Sequence, residues 1–140
     1  VGDGPLNEGI AERMRTAGLE DRLWLPGVRS DVASILRTLD CFVLPSFSEA
    51  TSCTLQEAMA TGLPIVVTEV GGNADLLEQG RCGTLVPSGD VQAMASEIHR
   101  HFQMGNVQPQ ASAALTAART HHGLGVTVQR YQELFLNKKP

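Results

Sequence analysis

The sequence predicts an α/β domain with a Rossmann-like parallel sheet flanked by helices. Three observations carry this. Apolar runs alternate with helix-period segments along the 140 residues. The central runs "CFVLP" (41–45) and "PIVVT" (64–68) are apolar without alternation, as strands covered on both faces must be. Glycines punctuate the ends of the helical segments. At 42% hydrophobic content the chain is long enough for a single core.

Taken in order, "VGDGP" reads as the last residue of a buried strand, Val1, and the turn after it. With no initial Met, this opening leads us to expect a piece of a longer protein. Pro5 suits a first helical position, Leu6, Ile10, Met14 and Ala17 recur at helical spacing, and Gly18 stops the helix. "RLWLPG" (22–27) reads as a short strand and turn, with Trp24 in the core. "SDVASILRTL" (30–39) reads as a helix capped by Ser30 or Asp31. Strand 41–45 follows, then helix "TSCTLQEAMATG" with Gly62 as its stop, then strand 64–68. "NADLLEQG" is a short helix ended by Gly80, and "CGTLVPSGD" (82–90) is a strand and turn. A helix over about 90–104 is broken by Gly105-Asn106 and Pro109. "PQASAALTAART" and residues 126–136 close the chain as helices. The sheet order is not readable, but the crossovers should be right-handed.

The formal net charge is −4, and the basic cluster Lys138-Lys139 reads as a solvated tail, so the footprint of a nucleic-acid binder is missing. Cys41, Cys53 and Cys82 are odd in number and widely spaced. They read as small apolar fillers in a reducing compartment, neither a disulfide framework nor a zinc site. His99 and His101 stand two apart on a helix and face different ways, and His121-His122 are adjacent, so no metal is expected. No apolar run approaches the roughly 20 residues of a membrane span.

Ligands of parallel sheets sit outside the carboxyl ends of the strands. That selects the loops after Val1, Leu25, Leu44, Val67 and Val86. In the third of these stands Glu49, and eight positions on, within the next helix, stands Glu57. Free N–H groups of residues 51–53 at the helix start favour an anion between the two acids. Carboxylates accept hydrogen bonds from vicinal hydroxyls. The order carboxylate, anion site, carboxylate fits a sugar–diphosphate–ribose ligand. Spacing alone also fits a dipole partner at Glu49 and a solvated Glu57. Gly71-Gly72 serve either a tight turn or a close approach to ligand. Glu69 either lines the cleft or is solvated, and Asp75 and Glu78 read as first-turn acids on a solvated face.

The run "PSFSEATSCTLQEAMATGLPIVVTEVGGNADLLEQGRCGTLVPSGD" (45–90) resembles the donor-binding domain of family 4 glycosyltransferases. The E-x7-E motif is matched by Glu49 and Glu57, and "EAMATGLPIVVT", "VGG" and "LVPSGD" follow in order. "VGDGP" and "LPGVRSDV" match upstream, and "VQRYQELF" matches at the end, so the resemblance covers nearly the whole chain. It implies the C-terminal half of a GT-B fold, truncated at its N-terminus. Residues 1–140 would be a donor domain lacking its first strands, with the acceptor domain absent from the chain.

The resemblance also implies the chemistry: transfer of a sugar from a UDP- or GDP-linked donor to a sugar or lipid-linked acceptor, with retention, in polysaccharide or surface-glycan synthesis. Glu49 would contact the transferred sugar at the reacting centre. Glu57 would bind the ribose, the backbone of Thr51, Ser52 and Cys53 would hold the distal phosphate and sugar, and Val28 and Arg29 would pack the base. Retention of this kind is described as front-face, so neither Glu is expected to be a covalent nucleophile. The Arg and Lys that neutralise the diphosphate in the family precede the "VGDGP" strand. The chain alone is therefore expected to be inactive, and its open sheet edge to favour self-association. No tightly bound cofactor and no metal are implied. The location would be cytoplasmic, with or without docking to the inner face of a membrane. One departure stands out: Ala50-Thr51-Ser52 replaces the glycine-containing run common after the first Glu. "SCTLQEAMA" is most similar to members that build exopolysaccharides or other surface glycans.

Two other classes fit the architecture. A GT-B type nucleotide-sugar epimerase would need further acid/base groups, and no suitable His adjoins the motif. A non-catalytic α/β nucleotide-binding or interaction module of the receiver kind would need an Asp at a strand's carboxyl end. Here Asp40 precedes its strand.

Overall fold

The computed structural model describes residues 2–104 and 108–136. Expectations for Val1, Gly105-Asn106 and Lys138-Lys139 lie outside them. The chain divides into two compact units, Val1–Ile35 and Leu36–Pro140.

In the first unit, Asp3 Oδ1 accepts from the Gly4 N–H and the Asn7 side-chain amide, both at 2.9 Å. These bonds shape the turn into helix α1 (Asn7–Thr16), which begins two residues after Pro5. Gly18 stops it in the left-handed region at φ +65°, as its position predicts. A 3-10 turn, Glu20–Arg22, follows. The strand expected over 22–27 is absent from the sheet: residues 23–27 run without ladder pairing. The Gly2 N–H donates to the Gly27 carbonyl at 2.9 Å, but one such bond makes no ladder. Trp24, expected in the core, is 61% exposed. No residue described in this unit is buried, so the ring has no core to enter. Helix α2 (Val32–Leu36), whose last residue is the buried first residue of the second unit, is shorter than the 30–39 expected.

The second unit carries the sheet: β1 (Phe42–Leu44), β2 (Ile65–Thr68) and β3 (Thr84–Val86). The strands are parallel and lie in the order β1-β2-β3, with Phe42 opposite Ile65 and Val67 opposite Leu85. Helix α3 (Cys53–Thr61) connects β1 to β2, and α4 (Asn73–Leu76) connects β2 to β3. Because both crossovers advance in one direction, right-handedness places both helices on one face. On that face Gly83 lies so close to Ile65 and Leu77 that an added methyl would approach them to 3.0 and 3.1 Å. The other face carries Val43, Val66 and Val86, packed with Ala93, Met94 and Ile98 of α5 (Val91–Met104). Covering both faces is what the unbroken apolar runs require.

Helix α6 (Gln108–His121) packs against α3, and its Ala111, Ala114, Ala117 and Ala118 are buried. Pro109 stands in its first turn, where a missing N–H costs nothing. Helix α7 (Leu124–Leu136) begins two residues before the start expected. The helix expected to reach Gly80 ends at Leu76. The chain then turns through Glu78, Gln79 and Gly80 at φ +50°, +57° and +94°. Cys82 is buried and Cys41 half-buried, as apolar fillers should be. Cys53 departs from that reading: it is exposed at the first position of α3, outside the helix face that packs.

Candidate functional site

The carboxyl ends of β1 and β2 bring together the loops that hold most of the sequence's candidates. After Leu44 the chain leaves β1 through Pro45 and Ser46 and reaches Glu49 before α3 begins. The Ser46 hydroxyl donates to Glu49 Oε1 at 2.8 Å, and Glu49 is half-buried. Thr68, the last residue of β2, donates its hydroxyl to the Ser46 carbonyl at 2.6 Å. The Gly72 N–H donates to the Ala50 carbonyl at 3.1 Å. The loop is therefore tied to β2 and to the turn that follows it.

Gly71 and Gly72 owe their identity to this contact. A methyl on Gly71 would fall 1.5 Å from the Glu49 carbonyl oxygen, and one on Gly72 would fall 2.6 Å from that of Ala50. Gly71 also adopts φ +51°. The sequence left turn geometry and ligand approach open; the structure adds a third cause, close packing against the backbone of Glu49 itself.

Ser52 is the N-cap of α3. Its buried hydroxyl accepts from the Leu55 N–H at 3.3 Å and lies 3.0 Å from Thr54 Oγ1. The Ser52 hydroxyl is thus committed to the Leu55 N–H, and the Gln56 N–H donates to the Ser52 carbonyl at 3.2 Å, so in the first turn it is the N–H groups of Cys53 and Thr54 that have no intrahelical acceptor. Thr51 and Cys53 flank it and are exposed. Glu57 lies one turn further, about 6 Å along the axis from Cys53 and about 40° around it, on the same side. It is exposed, and its carboxylate has no partner among the described residues. The buried face of α3 is Leu55, Ala58 and Met59. Gly62 ends the helix at φ +76°, its N–H donating to Met59 at 3.0 Å.

Val28 and Arg29 belong to the first unit. Val28 is 79% exposed. Arg29 donates to Asp31 through Nε at 2.8 Å and Nη2 at 2.7 Å. This pairing raises the guanidinium pKa and holds the Asp31 carboxyl below its usual range, with both groups at the surface.

Sequence reasoning missed Ser46 and Thr68. A Ser three residues before an acid in a post-strand loop was the available signal. It also missed an adjoining cleft of about 310 Å³ lined by Pro45, Phe47, Thr68, Pro87, Asp90 and Met94 among others. Glu69 is exposed and spends its N–H on the Val86 carbonyl at 2.8 Å. Asp75 accepts from Gln79 at 3.1 Å, and Glu78 pairs with Arg81. Among the described residues no group of three or more His, Cys, Asp or Glu is placed to hold a metal ion. His101 bonds Thr84 on the α5 face and His99 bonds Gln103, so the two histidines do face apart. No described helix is long and apolar enough to cross a membrane.

Residues 1–104 match the family model described as "Glycosyl transferases group 1". The chain is 36% identical over 101 residues to the UDP-Gal:alpha-D-GlcNAc-diphosphoundecaprenol alpha-1,3-galactosyltransferase of Escherichia coli, covering 71% of this chain and 26% of that protein. It is 38% identical over 119 residues to the lipopolysaccharide core biosynthesis mannosyltransferase LpsB of Rhizobium meliloti, covering 84% of this chain and 34% of that one. Among solved structures, Anabaena HepE in complex with UDP superposes with a TM-score of 0.86 at 25% identity, over 91% of this chain and 36% of that one. The chain therefore spans about a third or less of each of these proteins.

Proposed function

This chain belongs to the group 1 glycosyl transferases, and from that premise we propose that residues 1–140 are the nucleotide-sugar-binding part of a retaining hexosyltransferase. The reaction moves a sugar from a nucleoside diphosphate to an acceptor hydroxyl. The acceptor is a sugar or a lipid-linked glycan, and it binds a further domain that this chain does not contain. Polysaccharide or surface-glycan synthesis is the setting, in line with the names of the E. coli and R. meliloti relatives.

One observation carries the reading: a half-buried, positioned carboxylate stands just before the open N-terminus of α3, and a second, exposed and unpartnered, stands one turn inside that helix. Glu49 accepts from a hydroxyl of the transferred sugar. The backbone N–H groups of Thr51, Ser52 and Cys53 take the distal phosphate, where the leaving group accumulates charge; stabilising that charge is the main catalytic contribution. Glu57 takes the ribose hydroxyls. The UDP held by HepE supports a nucleoside diphosphate as ligand, with UDP and GDP both compatible with these residues.

The test uses the full-length protein with a panel of UDP- and GDP-linked hexoses, following transfer and nucleotide affinity together. Glu57→Gln should weaken nucleotide binding about tenfold by loss of a charged hydrogen-bond acceptor. Glu49→Gln should lower kcat about 10²-fold with little change in nucleotide affinity. Wild-type kinetics in both variants would refute the assignment. The 140-residue chain by itself should bind nucleotide weakly and transfer nothing, and robust transfer by it would show that no second domain is needed.

A further inference from the structure

We infer that Ser46 is a positioning residue for the Glu49 carboxylate, and that Thr68 holds Ser46 to that task; the inference rests on the role given to Glu49 above. An ionised carboxylate only accepts hydrogen bonds, so the single hydroxyl proton of Ser46 is committed to Glu49 Oε1, at 2.8 Å. The Ser46 backbone is fixed in turn. Its carbonyl accepts the Thr68 hydroxyl at 2.6 Å, and Thr68 is 3% exposed at the end of the central strand. The Thr68 carbonyl takes the side-chain amide of the fully buried Asn73 at 3.0 Å. A rigid strand end thus sets Ser46, and Ser46 sets one oxygen of Glu49.

Oε2 makes no hydrogen bond among the described residues and is the oxygen left for ligand. A free Glu side chain in a loop would have to freeze its rotamers when the sugar binds. Ser46 removes part of that cost beforehand, which is how a preorganised group contributes to rate. Ser46 touches Glu49 and acts on the sugar only through it.

The experiment is a double-mutant cycle in the full-length protein, with transfer from the hexose panel, UDP and GDP affinity, and thermal melting measured on each variant. Ser46→Ala should lower kcat about tenfold or more. It should leave the UDP or GDP dissociation constant within about twofold of wild type. Ser46→Thr, which restores the hydroxyl, should recover most of the rate. On a Glu49→Ala background, which removes the acceptor as well as the charge, Ser46→Ala should change nothing further, because its effect runs through the side chain already removed. Wild-type kcat in Ser46→Ala beside an impaired Glu49→Gln overturns the role of Ser46 alone. So does a full, multiplying loss from Ser46→Ala on the Glu49→Ala background. Wild-type transfer by Glu49→Gln itself overturns the role of Glu49 and this inference with it. If Ser46→Ala melts too low to assay, Thr68→Val decides by the same cycle.

Discussion

At Gly71 the left-handed backbone and the 1.5 Å approach of a would-be methyl to the Glu49 carbonyl act together. Gly71→Ala should therefore cost about 3 kcal/mol or more, measured by urea unfolding. Gly27 makes the control. It has φ +69° but nothing within 4 Å of an added Cβ, so Gly27→Ala should cost only about 1–2 kcal/mol. Glycine's necessity at 71 and 72 was legible in the sequence; its cause was not, because the loop it meets lies 22 residues away in the chain. A second residue-scale prediction concerns His101. Burial lowers its pKa, with the charge of Arg100 adding to the effect and Glu97 opposing it. The unfolded chain takes up the proton near pH 6.5, the folded chain only at lower pH. Between those values the unfolded state binds more protons, so stability rises with pH there. The His101 contribution is complete above about pH 7 and falls as pH drops below 6.5. Urea midpoints from pH 7.5 to 5 should decline, and His101→Gln should flatten that slope.

Among the elements, α3 was the most readable, since both its ends are written in side chains. Ser52 caps it and Gly62 releases it, so the helix falls within a residue or two of where the sequence puts it. Ser52→Ala should cost about 1 kcal/mol, seen as a lower melting midpoint, and Ser52→Asp should retain most of the stability. The cap also separates two roles that the sequence merged at this position. The hydroxyl takes the Leu55 N–H, which leaves the N–H groups before it for an anion. Residues 22–27 show the opposite case. "RLWL" has strand composition, but a strand is defined by its neighbour, and no ladder forms there among the described residues. Residues 77–80 were misread for a local reason: Glu78 and Gln79 take left-handed conformations that nothing in their side chains announces.

Across the whole chain, burial divides along the boundary between the two units. Every buried residue described lies at or beyond Leu36. Hydrogen exchange on the 140-residue chain should therefore protect the amides of β2 most and those of residues 2–35 least. Equal protection of the two would contradict this division. The fold class was legible because a parallel sheet demands apolar runs bounded by helix signals, and those signals are local. The geometry of the site was less so. The spacing of the two acids named them, but the ties that hold Glu49 come from residues far apart in sequence that meet only when β1 and β2 pair. Those ties converge on Thr68, whose hydroxyl reaches the acid's loop while its carbonyl reaches Asn73. The primary amide of Asn73 is therefore a built-in spectroscopic reporter. Its ¹⁵N-edited NMR resonances should shift when a ligand displaces the loop, so occupancy of the site can be read from a side chain that touches no ligand.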